Sequence, residues 1–574
     1  MKYIKKYHLD TVLVVVIFFL GFFLRFYQFP SVPKGLYPDE SAIGYNAYSI
    51  LQTGRDEYGT VLPIYFRSFD DYKMPVYIYA TSLAIRVFGV NDFAVRFTSA
   101  LFGVITVIAL YFLLLELSKK KWLATVAAFS LTLNPWHFFF SRTGYEVNLA
   151  TSLIVLGTLF FVMAVGRKNN FFLFFLSIFS LLLSIYTYNV TRLVAPLIFF
   201  MLIAFYYKQL AFKSKKQVIL LILLFLAGML PLFATFVSFQ SQAGFAAHDD
   251  ALITGKVVKA DILQTRSYFV TLPGIVQKTL FNYYVLLAWK FFGSLLAFFS
   301  TAFFFLVGAD HPHENIGGFG MFYYFDFPLI VFGAYQGLRK KITYLYPFYW
   351  WFVCMLFVGG IIVAIPGDNA FGTRAYAAVI PLVVFSSYGL YRFIQIVVQY
   401  KHLWLKRGIF LLSSVFIVYS YLFYFTSYFV RFPVEYAKQW HSEDQQTVEY
   451  IRSIEHNYNK IVFDDSAEFL YTSLLFYGEY PPRLHQQQAT YRLKGLVNTL
   501  VTDGKYEFRK VDFQKEMHVP GTLFVTGGNN LPENVRPIAI FTYPTRPVVL
   551  FYDRTIGQFP TTDIAYEIFQ SGDK

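Results

Sequence analysis

Long apolar runs separated by short polar links dominate the chain from about residue 11 to residue 430. A helix needs ~20 apolar residues to cross the hydrocarbon of a bilayer. Runs of that order fall at about 11–29, 92–117, 122–140, 147–165, 171–187, 193–207, 218–238, 322–338, 344–364, 375–398 and 408–430. The pattern predicts about eleven transmembrane helices. Residues 74–88 are apolar but short, with Arg86 near their end, which suits a helix lying in the interface. Residues 281–307 are apolar enough to span, yet Lys290 sits near their middle. Counting them as a span would place the basic clusters at 339–341 and 401–407 outside, against the charge bias, so they read as interfacial or re-entrant.

After residue 431 the period changes and no apolar run exceeds a strand or a short helix. KIVFDD and GTLFVTG have the short, bounded apolar pattern of buried strands, while SAEFLYTSLLFYG and YRLKGLVNTLV read as helices. The expected organisation is a transmembrane domain over 1–430 and a small α/β domain over 431–574. Within the first, 30–90 is an outer loop with interfacial helices and 239–321 a second, long outer loop.

Composition agrees with that class. Of 574 residues, 56% are hydrophobic and 15% charged, against roughly 25% charged in ordinary globular domains. The net charge of +14 lies in short clusters between apolar runs, where positive-inside topology accounts for it and a nucleic-acid partner does not. Lys2, Lys5 and Lys6 precede the first run, and no small-residue cleavage site precedes Arg25, so the run reads as an uncleaved first span with a cytoplasmic N-terminus. The expected location is the plasma membrane, with residues 431–574 outside. The single cysteine, Cys354, excludes disulfides and a cysteine-based metal site.

Under this topology the polar residues that hydrophobicity leaves unexplained collect at the outer ends of spans. LYPDESAIGYNAYSIL, residues 36–51, sets Asp39 and Glu40 directly after the first span, with Asp39 as an expected helix N-cap. Adjacent acids there suit a general base, metal ligands, or a cap with an acid in the first helical turn. Arg142 and Glu146 stand four apart and would pair on one helical face. His311 and His313 have a spacing compatible with a metal, as well as with a solvated loop. A divalent cation is left open, with Glu40, Glu146, His311 and His313 as candidate ligands, and no cofactor is demanded. Arg374, Lys73 and Arg192 are cations at headgroup depth, suited either to a lipid phosphate or to snorkelling. Asp71 and Asn189 complete the candidate substrate contacts.

YPDE after the first span, DYKMP before an interfacial helix, FGVNDFAVRFTSALFG opening the second span and SRTGYEVN joining the third and fourth resemble the GT-C glycosyltransferases, family 39 in the wide sense. That group includes protein O-mannosyltransferases and lipid A aminoarabinose transferases. The likeness covers about residues 10–240 well and 310–400 loosely, with KMP where many members carry a lysine and two prolines. It implies a polyprenyl-phosphate sugar as donor and a protein, lipid or glycan as acceptor. It further implies Asp39 as the acid that deprotonates the acceptor, Glu146 as a second acid, and Lys73 and Arg374 as cations near the lipid phosphate. The competing class is a transporter or flippase of lipid-linked sugars. It would place ionisable residues near the bilayer midplane and show internal repeats, and neither pattern is present.

Overall fold

The computed structural model describes residues 2–68, 72–167, 169–211, 215–236, 256–309, 311–362, 372–467, 470–494, 497–516, 519–527, 537–544 and 564–570. The chain divides into two compact units, one of residues 1–27 with 99–425, the other of residues 28–98 with 426–574.

The first unit is helical. Among the described residues, eight helices are long and apolar enough to cross a membrane: Asp92–Ser118, Glu146–Gly166, Thr191–Leu210, Lys215–Leu232, Tyr283–Leu306, Thr343–Ile361, Tyr376–Val398 and Leu403–Glu435. Shorter apolar helices run over Thr11–Phe26, Pro75–Phe88, Lys121–Leu133 and Phe171–Ile185. The stretch expected in the interface, 281–307, is a helix over Tyr283–Ala297 and a π-helical turn over Ala302–Leu306, together long enough to be one of the eight.

In chain order the early helices are α1 (Lys2–Phe26), α2 (Pro38–Thr53), α3 (Pro75–Phe88), α4 (Asp92–Ser118), α5 (Lys121–Leu133), α6 (Pro135–Ser141), α7 (Glu146–Gly166), α8 (Phe171–Ile185), α9 (Thr191–Ala211) and α10 (Lys215–Phe236). The run at 122–140 is two helices because Pro135 removes a backbone donor and suits the first helical position. Asn134 caps the second by accepting the His137 N–H at 2.9 Å. Close packing comes from small residues. Gly333, in the helix Asp326–Arg339, and Gly389, in the helix Val379–Val398, lie so near the opposing backbone that a Cβ on either would collide with a carbonyl. Ser386 then donates to Asp326 at 2.6 Å across the same contact.

The second unit holds a mixed seven-stranded sheet. Its strands are β3 (Lys460–Phe463), β4 (Thr490–Lys494), β5 (Val497–Asp503), β6 (Tyr506–Phe508), β7 (Thr522–Gly527), β8 (Ala539–Thr542) and β9 (Ile564–Gln570), in the order β4-β5-β6-β3-β7-β9-β8. KIVF and TLFVTG are the adjacent parallel strands β3 and β7, with Ile461 opposite Leu523. The segment YRLKGLVNTLV, expected to be helical, instead makes the antiparallel pair β4–β5. Val497, Thr499, Val501 and Thr502 are β-branched and Gly495 interrupts the run, which favours a hairpin over a helix.

Residues 28–98 pack within this unit. Ser41 of α2 donates to Thr472 at 2.8 Å, Tyr45 to the Tyr480 carbonyl at 3.2 Å, and Gln486 to the Asp56 carbonyl at 2.8 Å. Gly44 sits under the Phe476 ring, where any side chain would clash.

Candidate functional site

In the second unit the site is built at the start of α2. Pro38 takes the first helical position, and Glu40 turns back to accept the Tyr37 N–H at 3.1 Å. The expected N-cap Asp39 is therefore a first-turn residue, and Tyr37 holds the capping position. Glu40 and Arg96 form a bidentate pair, Nε to Oε1 at 2.9 Å and Nη2 to Oε2 at 2.7 Å, with side chains 1% and 0% exposed. Arg96 also donates to the carbonyls of Pro30 and Pro33 at 3.2 and 2.7 Å, tying down the loop before the helix.

Asp39 stands differently. Its side chain is 31% exposed, and Oδ1 accepts from Lys73 Nζ at 2.7 Å. Among the described residues Oδ2 has no protein partner. Lys73 is placed by a two-stranded ladder, β1 (Phe66–Arg67) against β2 (Tyr72–Lys73), with Phe66 opposite Lys73, and then by Pro75 opening α3. Asp71 lies outside the described residues.

The same loop carries an acid that pattern reasoning did not single out. Glu57 is buried and its Oε1 has no hydrogen-bond partner among the described residues. Burial, and then the neighbouring Asp56, push its carboxyl up to about 8, while Asn46 and Arg67 pull the other way.

In the first unit, Arg142 caps the end of α6 and Glu146 begins α7, so the two lie on separate helices. Arg142 is fully buried and donates from Nη1 to the carbonyls of Leu24, Arg25 and Tyr27 at 2.8, 3.1 and 2.7 Å. A cation on the last carbonyls of a helix complements its dipole and its unsatisfied acceptors. Arg142 thus secures the end of α1.

Beyond α7, the turn before α9 carries Tyr188 and Asn189, the first turn of α9 carries Arg192, and the turn before the helix Val379–Val398 carries Thr373 and Arg374. The Tyr188 hydroxyl and the Thr373 side chain interact. Burial raises that phenol, with Arg374, Glu314 and Glu146 all within electrostatic reach. The Asn189 side-chain oxygen is buried beside them without a hydrogen-bond partner among the described residues. Glu314 accepts the Gly372 N–H at 3.0 Å, the Thr373 N–H at 3.3 Å and the Thr373 hydroxyl at 2.9 Å. Desolvation raises its carboxyl, and the Thr373 bonds and Arg374 oppose the rise. Glu314 was legible only as a polar residue in HPHENIGG; nothing in the loop's spacing marked it.

The His311 and His313 rings stack at 5.2 Å, with Tyr145 6.5 Å from His313. Among the described residues no group of three or more His, Cys, Asp or Glu could hold a metal ion. Glu40 is taken up by Arg96, while Glu146 and the two histidines belong to the first unit.

Residues 72–234 match the profile of the dolichyl-phosphate-mannose-protein mannosyltransferase family. No curated protein matches. Among solved structures, the oligosaccharyltransferase of Archaeoglobus fulgidus tethered to an acceptor peptide is 13% identical, with 83% of this chain and 64% of that chain covered and a TM-score of 0.50. ArnT of Cupriavidus metallidurans is 11% identical in its apo state, with 99% and 98% covered and a TM-score of 0.49. ArnT bound to undecaprenyl phosphate is 10% identical, with 98% and 97% covered and a TM-score of 0.48. This chain spans just under two thirds of the length of the archaeal protein. It is an integral, multi-pass membrane protein with the GT-C fold, similar over residues 72–234 to the dolichyl-phosphate-mannose-protein mannosyltransferases.

Proposed function

We propose that the protein transfers a sugar from a polyprenyl-phosphate donor to an acceptor hydroxyl at the outer face of the membrane, with inversion at the anomeric carbon. The observation that carries this reading is Asp39, a half-exposed acid with one oxygen fixed by Lys73 and the other open. Asp39 Oδ2 takes the acceptor's proton as the acceptor oxygen attacks the anomeric carbon. The bond from that carbon to the phosphate oxygen breaks, and the lipid phosphate leaves with the electron pair.

Arg374 and Arg192 meet the phosphate charge, and Lys73 orients the base. Glu146 and Asn189 contact substrate hydroxyls, Glu40 and Arg142 act as positioning residues, and no step is routed through a metal. The outer orientation is supported by the basic clusters at 119–121, 167–168 and 208–216, which precede residues 281–307 and fall together at the opposite ends of the predicted spans.

The test is sugar release from a panel of radiolabelled polyprenyl-phosphate sugars by purified wild type and Asp39→Asn. Turnover of one donor by wild type, lost in the variant, supports the reading. Full activity in a folded Asp39→Asn removes Asp39 as the base. No turnover of any donor, with envelope extract as acceptor, favours a flippase, and lipid flipping in liposomes then decides.

A further inference from the structure

We infer that Glu314 is the positioning residue for Arg374, acting by clamping the backbone turn from which the arginine projects. The inference rests on the donor-phosphate role proposed above for Arg374.

The turn at Gly372–Thr373 is held from two sides. Glu314, 5% exposed, uses both carboxylate oxygens: Oε2 on the Gly372 N–H, and Oε1 on the N–H and hydroxyl of Thr373. Trp136, 1% exposed, donates its indole N–H to the Gly372 carbonyl at 3.0 Å. Residue 372 must be glycine for this contact, since any Cβ would run into the Glu314 carboxylate.

The clamp is itself supported. Asn315 donates to the carbonyls of Val307 and Ala309, both at 3.1 Å, and accepts the Gly317 N–H at 2.7 Å. The Glu314 N–H donates to the His311 carbonyl at 2.9 Å. Trp136 is braced edge-on by Phe303, Phe322 and Tyr376.

A buried carboxylate that accepts three bonds from two consecutive residues fixes main chain rather than reacting. Arg374, the next residue, is half-buried. A guanidinium on a loose turn would lose conformational freedom each time it grips a phosphate. On a clamped turn most of that loss is incurred on folding, so the ligand binds more tightly with no new contact. The clamp should therefore show mainly in phosphate affinity, with a smaller effect on the chemical step.

The experiment measures binding of undecaprenyl phosphate to the full-length protein in detergent, for wild type, Glu314→Gln, Arg374→Ala and the double variant. Turnover at saturating donor is measured in parallel. Glu314→Gln is expected to weaken binding about tenfold while saturated turnover stays within about twofold. The double variant should bind no more weakly than Arg374→Ala alone, because the clamp acts only through the arginine. Thr373→Val, which removes one of the three bonds, should weaken binding less than Glu314→Gln, and it stands in should the latter fail to fold.

Wild-type affinity in Glu314→Gln and Thr373→Val would overturn the inference. So would losses that simply multiply in the double variant. Absence of lipid-phosphate binding by the wild type would overturn the donor assignment, and the purpose given to the clamp with it. Binding unchanged by the Glu314 and Thr373 substitutions would overturn the clamp alone.

Discussion

Asp39 and Glu40 are neighbours in sequence and opposites in circumstance. Consecutive helical residues point about 100° apart, so one acid enters the interior of its unit and the other stays at its surface. Glu40 is closed off by a fully buried arginine that takes both its oxygens. Asp39 has one lysine on one oxygen and keeps the other available. A buried ion pair with every acceptor used holds structure, and an accessible acid with a spare oxygen can exchange a proton. Geometry, not residue type, assigns the roles.

The sharpest way to break the comparison is to unpair the buried partner. Glu40→Gln leaves Arg96 charged and desolvated, a defect that costs on the order of 3–5 kcal/mol. The expected result is a sharply lower unfolding midpoint in detergent and little recoverable protein, whatever the donor. Asp39→Asn should do the reverse. Transfer falls about 10²- to 10⁴-fold, as for loss of a general base, while the unfolding midpoint stays near that of wild type. Equal stability losses in the two variants would erase the distinction drawn here.

A third acid sharpens the point. Glu57 is buried like Glu40 but lacks its arginine, and its carboxyl is raised to about 8. Between an unfolded value of about 4.3 and that folded value, the unfolded chain releases the proton and the folded chain keeps it. Stability contributed by the neutral acid is therefore fully present below about pH 4 and lost as pH rises through about 8. Glu57→Gln should flatten that decline, raising stability at pH 8 by roughly 4 kcal/mol and at pH 5 by only about 1 kcal/mol. Thermal unfolding at the two values checks it. The smallest effect is expected from Lys73→Met, which frees the Asp39 side chain without removing it. Transfer should fall about tenfold, with donor affinity held near wild type, as read from initial rates at varied donor.

Much of the frame was legible from pattern. Apolar runs of membrane length mark most of the helices, and the short bounded runs KIVF and TLFVTG mark the two central parallel strands. What escaped was whatever depends on a partner far along the chain. Nothing local to DE reveals that Arg96 will take the glutamate, although Arg96 stands in plain view within FAVRF. Arg142 and Glu146 have the spacing of one helical face, and the turn between α6 and α7 sets them on separate helices. Glu314 was invisible because its value lies in main-chain donors of Gly372 and Thr373, which carry no sequence signature. The β4–β5 hairpin was missed because its apolar residues satisfy a helical period as well as a strand's.

The packing of residues 28–98 with residues from 426 onward has a consequence for how the protein is made. A ribosome delivers the chain in order, so the segment bearing Asp39, Glu40 and Lys73 emerges before the whole of residues 99–425. Its partners Thr472, Phe476 and Tyr480 come last. The helix that carries the proposed base must wait, half-supported, while the membrane unit is threaded. Only when residues 472–480 arrive can α2 gain the contacts that hold it in the finished unit.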